Sequence, residues 1–167
     1  MNTLPYRPNV GIALFNAEGR VLIARRLKDD GPEIILPGHE WQMPQGGIDA
    51  DEEPVAAARR ELFEETGVTS ARYLGEMAAW LSYDFPAYAG PPVNLSRFRG
   101  QRQKWFAFAF TGVDSEIEVT AQRVDEEVEF AEWRWERLAL LPKLVVPFKR
   151  AVYERVVNEF ARYGDGA

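Results

Sequence analysis

Hydrophobic and polar positions alternate in short runs along most of the chain, which predicts a structure built mainly of β-strands. The first two apolar runs, 9–15 and 20–24, flank Asn16-Ala17-Glu18-Gly19, which has the composition of a hairpin turn. Further runs typical of strands lie at 72–78, 80–85, 103–111, 116–119 and 128–135. We therefore expect an opening β-hairpin and a sheet that later strands complete.

Two segments follow the helical repeat instead. Residues 54–66 start with Pro54, have an Ala-rich body and precede Gly67, and Asp51 is placed to cap the helix. Residues 147–162 carry apolar side chains at helical spacing, whereas the Gly- and Pro-rich stretch 27–40 predicts a surface loop. The expected class is α/β (α+β), with a mixed sheet sandwiched between helices in a single domain over residues 1–167.

Composition narrows the possible chemistry. The chain has 167 residues, no cysteine and one histidine, so disulfides, thiol nucleophiles and thiolate zinc sites are excluded. The formal net charge is −6, and a polyanionic partner would need a local basic patch such as Arg97, Arg99, Arg102 and Lys104. We find neither a secretory leader pattern nor an apolar run of membrane-spanning length. We therefore expect a cytoplasmic protein with no membrane partner.

Three glutamates on the predicted central helix carry the candidate chemistry. Glu61, Glu64 and Glu65 stand at i, i+3 and i+4, so their carboxylates share one helix face and repel each other. A bound cation would explain the arrangement, and a solvated acidic stripe is the alternative. Gln45-Gly46-Gly47 precedes the helix and lets backbone approach a ligand closely. Oxygen ligands without cysteine favour Mg²⁺ or Mn²⁺ as the cofactor.

The segment from Gly46 to Val68 resembles a complete Nudix box. It reads Gly46, five residues, Glu52, seven residues and then Arg60-Glu61-Leu62-Phe63-Glu64-Glu65-Thr66-Gly67-Val68. Outside the box, segments 6–11, 41–47, 103–106, 129–135 and 148–150 resemble bacterial RNA pyrophosphohydrolases and related dinucleoside polyphosphate hydrolases. The resemblance implies a Nudix fold. The stretch 29–40 is longer than in the enterobacterial members and departs from the pattern.

The resemblance also implies roles for individual residues. The metal ligands would be Gly46, Glu61, Glu64, Glu65 and Glu129, with Arg60 orienting a glutamate. Glu129, in the acidic run that includes Asp125, Glu126 and Glu127, would be the fourth acidic ligand or the general base. Substrate contacts would come from stacking by Arg26, Tyr83 and Phe148 and from phosphate binding by Arg7, Lys104 and Lys149. The tryptophans Trp105, Trp133 and Trp135 are assigned to the core.

The function implied is removal of pyrophosphate from 5′-triphosphorylated RNA by a metal-activated water, which would promote RNA decay. Asymmetric hydrolysis of dinucleoside polyphosphates needs the same metal cluster and remains open from the sequence. A non-catalytic nucleotide-binding adaptor is the more remote alternative, because every acidic position of the box is filled. We expect a monomer whose partner is the RNA or dinucleotide substrate and not DNA.

Overall fold

The computed structural model describes residues 3–123 and 127–164. Within them lie eight strands, β1 Tyr6–Phe15, β2 Val21–Arg26, β3 Trp41–Gln42, β4 Gln45–Gly47, β5 Ala71–Glu76, β6 Leu81–Asp84, β7 Gly100–Phe110 and β8 Phe130–Glu136. The helices of this part are α1 Pro54–Thr66, α2 Leu141–Leu144 and α3 Arg150–Phe160. None of these helices is both long and apolar enough to span a membrane.

The predicted hairpin between β1 and β2 is confirmed. The Asn16 side chain accepts hydrogen bonds from the backbone amides of Glu18, at 3.1 Å, and Arg20, at 3.0 Å. Gly19 adopts a φ of 76°, a left-handed conformation that glycine enters at little cost. The turn closes the first register pair, Phe15 with Val21.

The centre of the sheet is the parallel pairing of β1 with β7, which runs from Tyr6–Gly100 to Phe15–Ala109. The strands follow the order β3-β2-β1-β7-β5, with β4 beside β1, β6 beside β7 and β8 beside β2. All other pairs are antiparallel, so the sheet is mixed as predicted. The parallel pair connects elements about ninety residues apart in the chain, a separation that local patterns do not reveal.

Both faces of the sheet are covered. Ile12 and Leu14 pack with Leu62 of α1 on one face, whereas Ala13 packs with Val156 of α3 on the other. Each layer buries an apolar cluster, and this two-sided burial explains why β1 is apolar at nearly every position instead of alternating. The prediction of a mixed sheet sandwiched between helices is therefore confirmed.

Helix α1 has the predicted length, but its N-cap was assigned to the wrong residue. Glu53 is the N-cap, without a side-chain capping bond, and Asp51 lies in the preceding turn with a φ of 64°. The helix ends as predicted, because Gly67 takes a left-handed conformation and donates its amide to the Phe63 carbonyl at 2.8 Å. Glu61, Glu64 and Glu65 consequently occupy the last two turns of α1.

Several sequence expectations differ from the structure. Residues 116–119 form no strand: Ile117 and Val119 are buried against the α1 face of the sheet, while Glu116 accepts hydrogen bonds from the Thr69 and Ser70 amides. The alternation of polar and apolar residues at 116–119 therefore reflects side-chain packing and not strand pairing. The predicted helix 147–162 is α-helical only over α3, with 3₁₀ turns at 147–149 and 161–163, and the short helix α2 was not predicted.

The predicted surface loop 27–40 is only partly at the surface. It has no regular element beyond one bridge between Asp30 and Glu33, which agrees with its Gly and Pro content. Glu33, however, is only 3% exposed. A charged side chain buried in a loop needs ionic or hydrogen-bonding partners, so this part of the loop belongs to the interior while the rest stays at the surface.

Candidate active site

A cavity of about 460 Å³ opens between the C-terminal half of α1 and three loops. Strand β4 and α1 supply one wall with Gly46, Glu61 and Glu65, while β1 and β7 supply the floor with Asn9 and Gln101. Segments of the loops, at 28–33, 93–95 and 127–129, form the remaining walls. The size suits a nucleotide.

Glu61 and Glu65 are buried to 8% and 9% exposure and face this cavity. The backbone amide of Gln45 donates to Glu65 Oε2 at 3.2 Å, which ties the helix to β4. A Cβ on Gly46 would overlap the Glu61 carboxylate, so only glycine allows this approach. The Gln45-Gly46-Gly47 segment therefore brings backbone directly against the carboxylates of α1.

Arg60 is the centre of the acidic cluster. Its guanidinium donates to both carboxylate oxygens of Glu52 at 2.9 Å, to Glu61 Oε1 at 2.9 Å and to Glu64 Oε2 at 3.1 Å. It also donates to the Gly47 carbonyl at 2.8 Å. The hydrogen bonds to Glu52, opposed by burial and aided by the charge of Glu61, raise the pKa of Arg60. This geometry supports the orienting role that the resemblance implied.

Glu64 and Glu129, the other two predicted acidic ligands, lie on one side of the larger cavity. Glu64 lines a small adjoining cavity together with Glu65 and Glu129, and Glu129 is exposed where both cavities meet. Asp125 and Glu126 of the predicted acidic run lie outside the described residues. No three acidic or histidine side chains within 3–123 and 127–164 are arranged to hold one metal ion together. The candidate ligands are nevertheless hard oxygen atoms, which fit a divalent cation of the kind that carboxylates bind.

Comparison with known proteins decides the family. The sequence profile of the NUDIX domain matches residues 5–156. The chain belongs to the Nudix family. An RNA pyrophosphohydrolase of Rhodopseudomonas palustris (strain BisA53) is 54% identical over 161 residues, with 96% of this chain and 90% of the relative covered. An RNA pyrophosphohydrolase of Acidiphilium cryptum (strain JF-5) is 51% identical over 166 residues, with 98% and 96% covered.

Solved structures show the same Nudix fold at low sequence identity. A MutT protein from Methanosarcina mazei Go1 superposes with a TM-score of 0.60 at 21% identity, with 95% of this chain and 98% of that chain covered. An Ap4A hydrolase binary complex from C. elegans gives 0.58 at 15% identity, with 92% and 98% covered. The resemblance seen in the Nudix box is thus confirmed at the level of family and fold.

We call the cavity described above the Nudix pocket. The structure places only three of the six predicted substrate residues in its walls. Arg7, Arg26 and Lys149 line it, whereas Tyr83, Phe148 and Lys104 are absent from its walls. Lys104 instead pairs with Glu76 at 3.2 Å. The substrate roles of all six stay predictions.

Tyr83 and Phe148 are packed against one another in the Nudix core. Their ring centroids are 5.8 Å apart, and Phe85 contacts the Tyr83 ring from another side at 6.0 Å. Tyr83 is only 5% exposed, so a nucleobase could stack on it only if a neighbouring side chain moved. The sequence did not reveal this, because an aromatic residue in a strand suits a core position and a binding position equally well.

Arg26 is also engaged within the protein. It is 8% exposed, and its guanidinium donates to the backbone carbonyls of Lys28 at 3.3 Å, Glu33 at 2.8 Å and Ile34 at 3.4 Å. These bonds hold the 27–40 loop against β2. Arg26 still lines the cavity, but three carbonyls of the loop take up its donor groups.

The predicted basic run, which lies before and along the start of β7, is partly neutralised by acidic neighbours. Arg99 pairs with Asp84 at 2.9 Å. Arg102 lies over the Trp80 ring at 4.7 Å, on the strand face opposite to Gln101 and Gln103. The run therefore supplies less free positive charge than its sequence indicates.

Sequence reasoning missed the polar floor of the Nudix pocket. Asn9, Gln101 and Gln103 are at most 2% exposed and bond to each other, and Gln42 lies beside them at 4% exposure. The sequence of β7 could have indicated this network, because Gln101 and Gln103 lie on the same strand face as Trp105. Buried glutamines in such a register indicate a polar network.

Replacing Gly46 with alanine tests the contact between backbone and carboxylate. The added Cβ would push the Glu61 carboxylate aside, and we expect kcat to fall about 100-fold, the order known for misplacement of a catalytic group by an ångström. The fold should survive, because the end of a flexible side chain can rotate. Gly164→Ala is the control, since its Cβ would meet only ordinary contacts starting at 3.5 Å. Full activity of Gly46→Ala would contradict the assignment of this contact.

Proposed function

We propose that this Nudix protein is an RNA pyrophosphohydrolase that removes pyrophosphate from 5′-triphosphorylated RNA. The proposal rests on one observation: relatives named RNA pyrophosphohydrolase are 49% to 56% identical to this chain over nearly its whole length. The Ap4A hydrolase of C. elegans is only 15% identical, which shows the shared fold and supports the dinucleotide alternative less well.

The acidic cluster is the proposed metal site. Gly46, Glu61, Glu64, Glu65 and Glu129 would hold Mg²⁺ or Mn²⁺, ions that accept oxygen ligands and bind phosphates. When bound, such an ion offsets phosphate charge and lowers the pKa of a coordinated water. Arg60 holds Glu61 and Glu64 in place through its hydrogen bonds. Glu129, exposed at the cavity wall, would accept the proton from the attacking water at a carboxylate oxygen.

Arg7, which lies beside β4, is the proposed phosphate contact. Its guanidinium lies against Gly47, where a Cβ would overlap it, and it faces the cavity. Among the described residues no carboxylate forms an ion pair with Arg7. A guanidinium without an acidic partner can bind phosphate oxygens in bidentate geometry. Lys149 is the second proposed phosphate contact.

Three further expectations accompany this function. The protein would act in the cytoplasm, where RNA decay occurs, and would work as a monomer. It would have neither a membrane nor DNA as partner.

A direct comparison of substrates tests the proposed function. We would measure kcat/KM with Mg²⁺ for a 5′-triphosphorylated oligoribonucleotide, ATP and diadenosine tetraphosphate, and identify each leaving group. The oligoribonucleotide should exceed diadenosine tetraphosphate at least tenfold, about 1.4 kcal/mol of transition-state preference. It should also exceed ATP, because phosphates beyond the reacting group add binding energy.

The reverse order would make the protein a dinucleoside polyphosphate hydrolase. Binding of all three compounds without turnover would instead identify an adaptor. Either result overturns the proposal.

A further inference from the structure

Glu33 is a buried carboxylate at the inner end of the pocket. Its Oε1 accepts hydrogen bonds from the Tyr83 hydroxyl and from Gln101 Nε2, the latter at 3.4 Å. Its Oε2 lies 2.9 Å from Lys149 Nζ and 3.9 Å from Arg26 Nη1. Four groups from four separate parts of the chain thus converge on one side chain of the 27–40 loop.

A directed chain of hydrogen bonds also ends at Glu33. Trp105 Nε1 donates to Gln103 Oε1 at 3.0 Å, and Gln103 Nε2 donates to Asn9 Oδ1 at 2.9 Å. Asn9 Nδ2 donates to Gln101 Oε1 at 3.1 Å, and Gln101 Nε2 donates to Glu33. An indole is only a donor and an ionised carboxylate only an acceptor, so these two ends allow a single orientation of the three amides.

The charge state of Glu33 agrees with this direction. Burial raises the pKa of the carboxyl, but the Lys149 ammonium, the Tyr83 hydroxyl and Arg26 outweigh burial and hold the pKa below its usual value. The carboxylate therefore stays ionised at neutral pH. A neutral amide at the same place would present a donor group where the surrounding groups already donate.

Lys149 is buried in contact with Glu33. The ammonium is 1% exposed and donates to Gln42 Oε1 at 3.0 Å and to Gln45 Oε1 at 3.4 Å, besides its pair with Glu33. Lys149 Nζ thus makes two hydrogen bonds and one ion pair, and the contact to Gln45 is the longest of the three. A substrate oxygen that replaced this weakest contact would find the ammonium already oriented by Glu33 and Gln42.

We propose that Glu33 is a positioning residue for substrate binding: its carboxylate fixes the Lys149 ammonium and orients the amide floor toward the phosphates. The inference rests on the proposed function only in taking Lys149 as a phosphate contact. The 27–40 loop thereby contributes to the pocket, because Arg26 holds the backbone of the loop and Glu33 extends from it.

The main test compares Glu33→Gln with Glu132→Gln. The control removes an exposed glutamate of β8 that pairs with Arg25 of β2. With triphosphorylated oligoribonucleotide we expect KM to rise about tenfold in Glu33→Gln while kcat stays within about twofold, because binding and not chemistry loses its partner. The control should keep both constants. If Glu33→Gln does not fold, Glu33→Asp replaces it in the test, because aspartate keeps the charge but is shorter by one methylene. The KM of Glu33→Asp should rise as well.

A second readout needs no substrate. The chain has four lysines, and acylation of each can be followed by mass spectrometry. Buried Lys149 should react slowly in the wild type and several-fold faster in Glu33→Asp or Glu33→Gln, with exposed Lys143 as the internal reference. If the wild type hydrolyses no RNA, the proposed function fails while this measurement still decides the position of Lys149.

Two results would overturn the inference. Unchanged KM together with unchanged Lys149 reactivity would show that Glu33 positions nothing. A lower KM in either Glu33 variant would show that the carboxylate competes with substrate for Lys149 instead of presenting it.

Discussion

Glu65→Gln is expected to lower kcat by about 10²- to 10³-fold, the order seen when one group that stabilises transition-state charge is removed. Glu65 lines both cavities of the site and is the carboxylate that the Gln45 amide contacts. Glutamine keeps the shape and can still accept that hydrogen bond, so the fold should be retained. What disappears is a negative charge where a cation is proposed to bind.

Circular dichroism and kcat measured on the same preparation separate these effects. Glu154→Gln, on the exposed side of α3, is the matched control because it removes the same charge from a helix outside the pocket. We expect the control to retain wild-type turnover. A folded Glu65→Gln enzyme with wild-type kcat would exclude Glu65 from the metal site.

Arg60→Ala is expected to have the largest effect on stability. The side chain, 27% exposed, pairs with Asp49, Glu52, Glu61 and Glu64, which would repel each other without it. Removing one partner of such a partly buried network should cost about 2 to 3 kcal/mol. For a domain of this size that corresponds to a fall in Tm of about 5 to 10 °C.

Arg59→Ala is the control on the same helix, since Arg59 donates to the Ala71 carbonyl and lies over the Phe108 ring, and within 3–123 and 127–164 it forms no ion pair. Calorimetry at two salt concentrations tests the cause, because added salt screens repulsion between carboxylates. Arg60→Ala should regain part of its Tm at high salt, and Arg59→Ala should change little. Equal Tm losses in the two variants would show that charge balance does not explain the role of Arg60.

Local features of this chain were predictable from the sequence. The turn at Asn16 to Gly19, the helix 54–66 and its end at Gly67 depend on neighbouring residues, whose conformational preferences act over a few positions. The spacing of Glu61, Glu64 and Glu65 likewise places them on one helix face wherever the helix packs. The family resemblance follows from the same segment, because the Nudix box is continuous in sequence.

Long-range pairing was decided only by the tertiary structure. The parallel register of β1 with β7 brings Asn9 beside Gln101 and Gln103, and no local pattern contains that information. The burial of Tyr83 against Phe148 also depends on how the 3₁₀ turn before α3 packs on β6. For this reason residues expected to be open to a nucleobase proved to be part of the core.

Glu33 is the clearest example of a residue whose role depends on the tertiary structure. By sequence it is one of several acidic residues in a Gly- and Pro-rich loop, and nothing distinguishes it from Asp29 or Asp30. A buried charge becomes tolerable only when partners from distant segments surround it, here Lys149 and Arg26. The sequence by itself thus determined the family, the central helix and the acidic cluster. Only the tertiary structure decided which charges meet in the pocket, because the free energy of a buried ion depends on neighbours that the fold brings together.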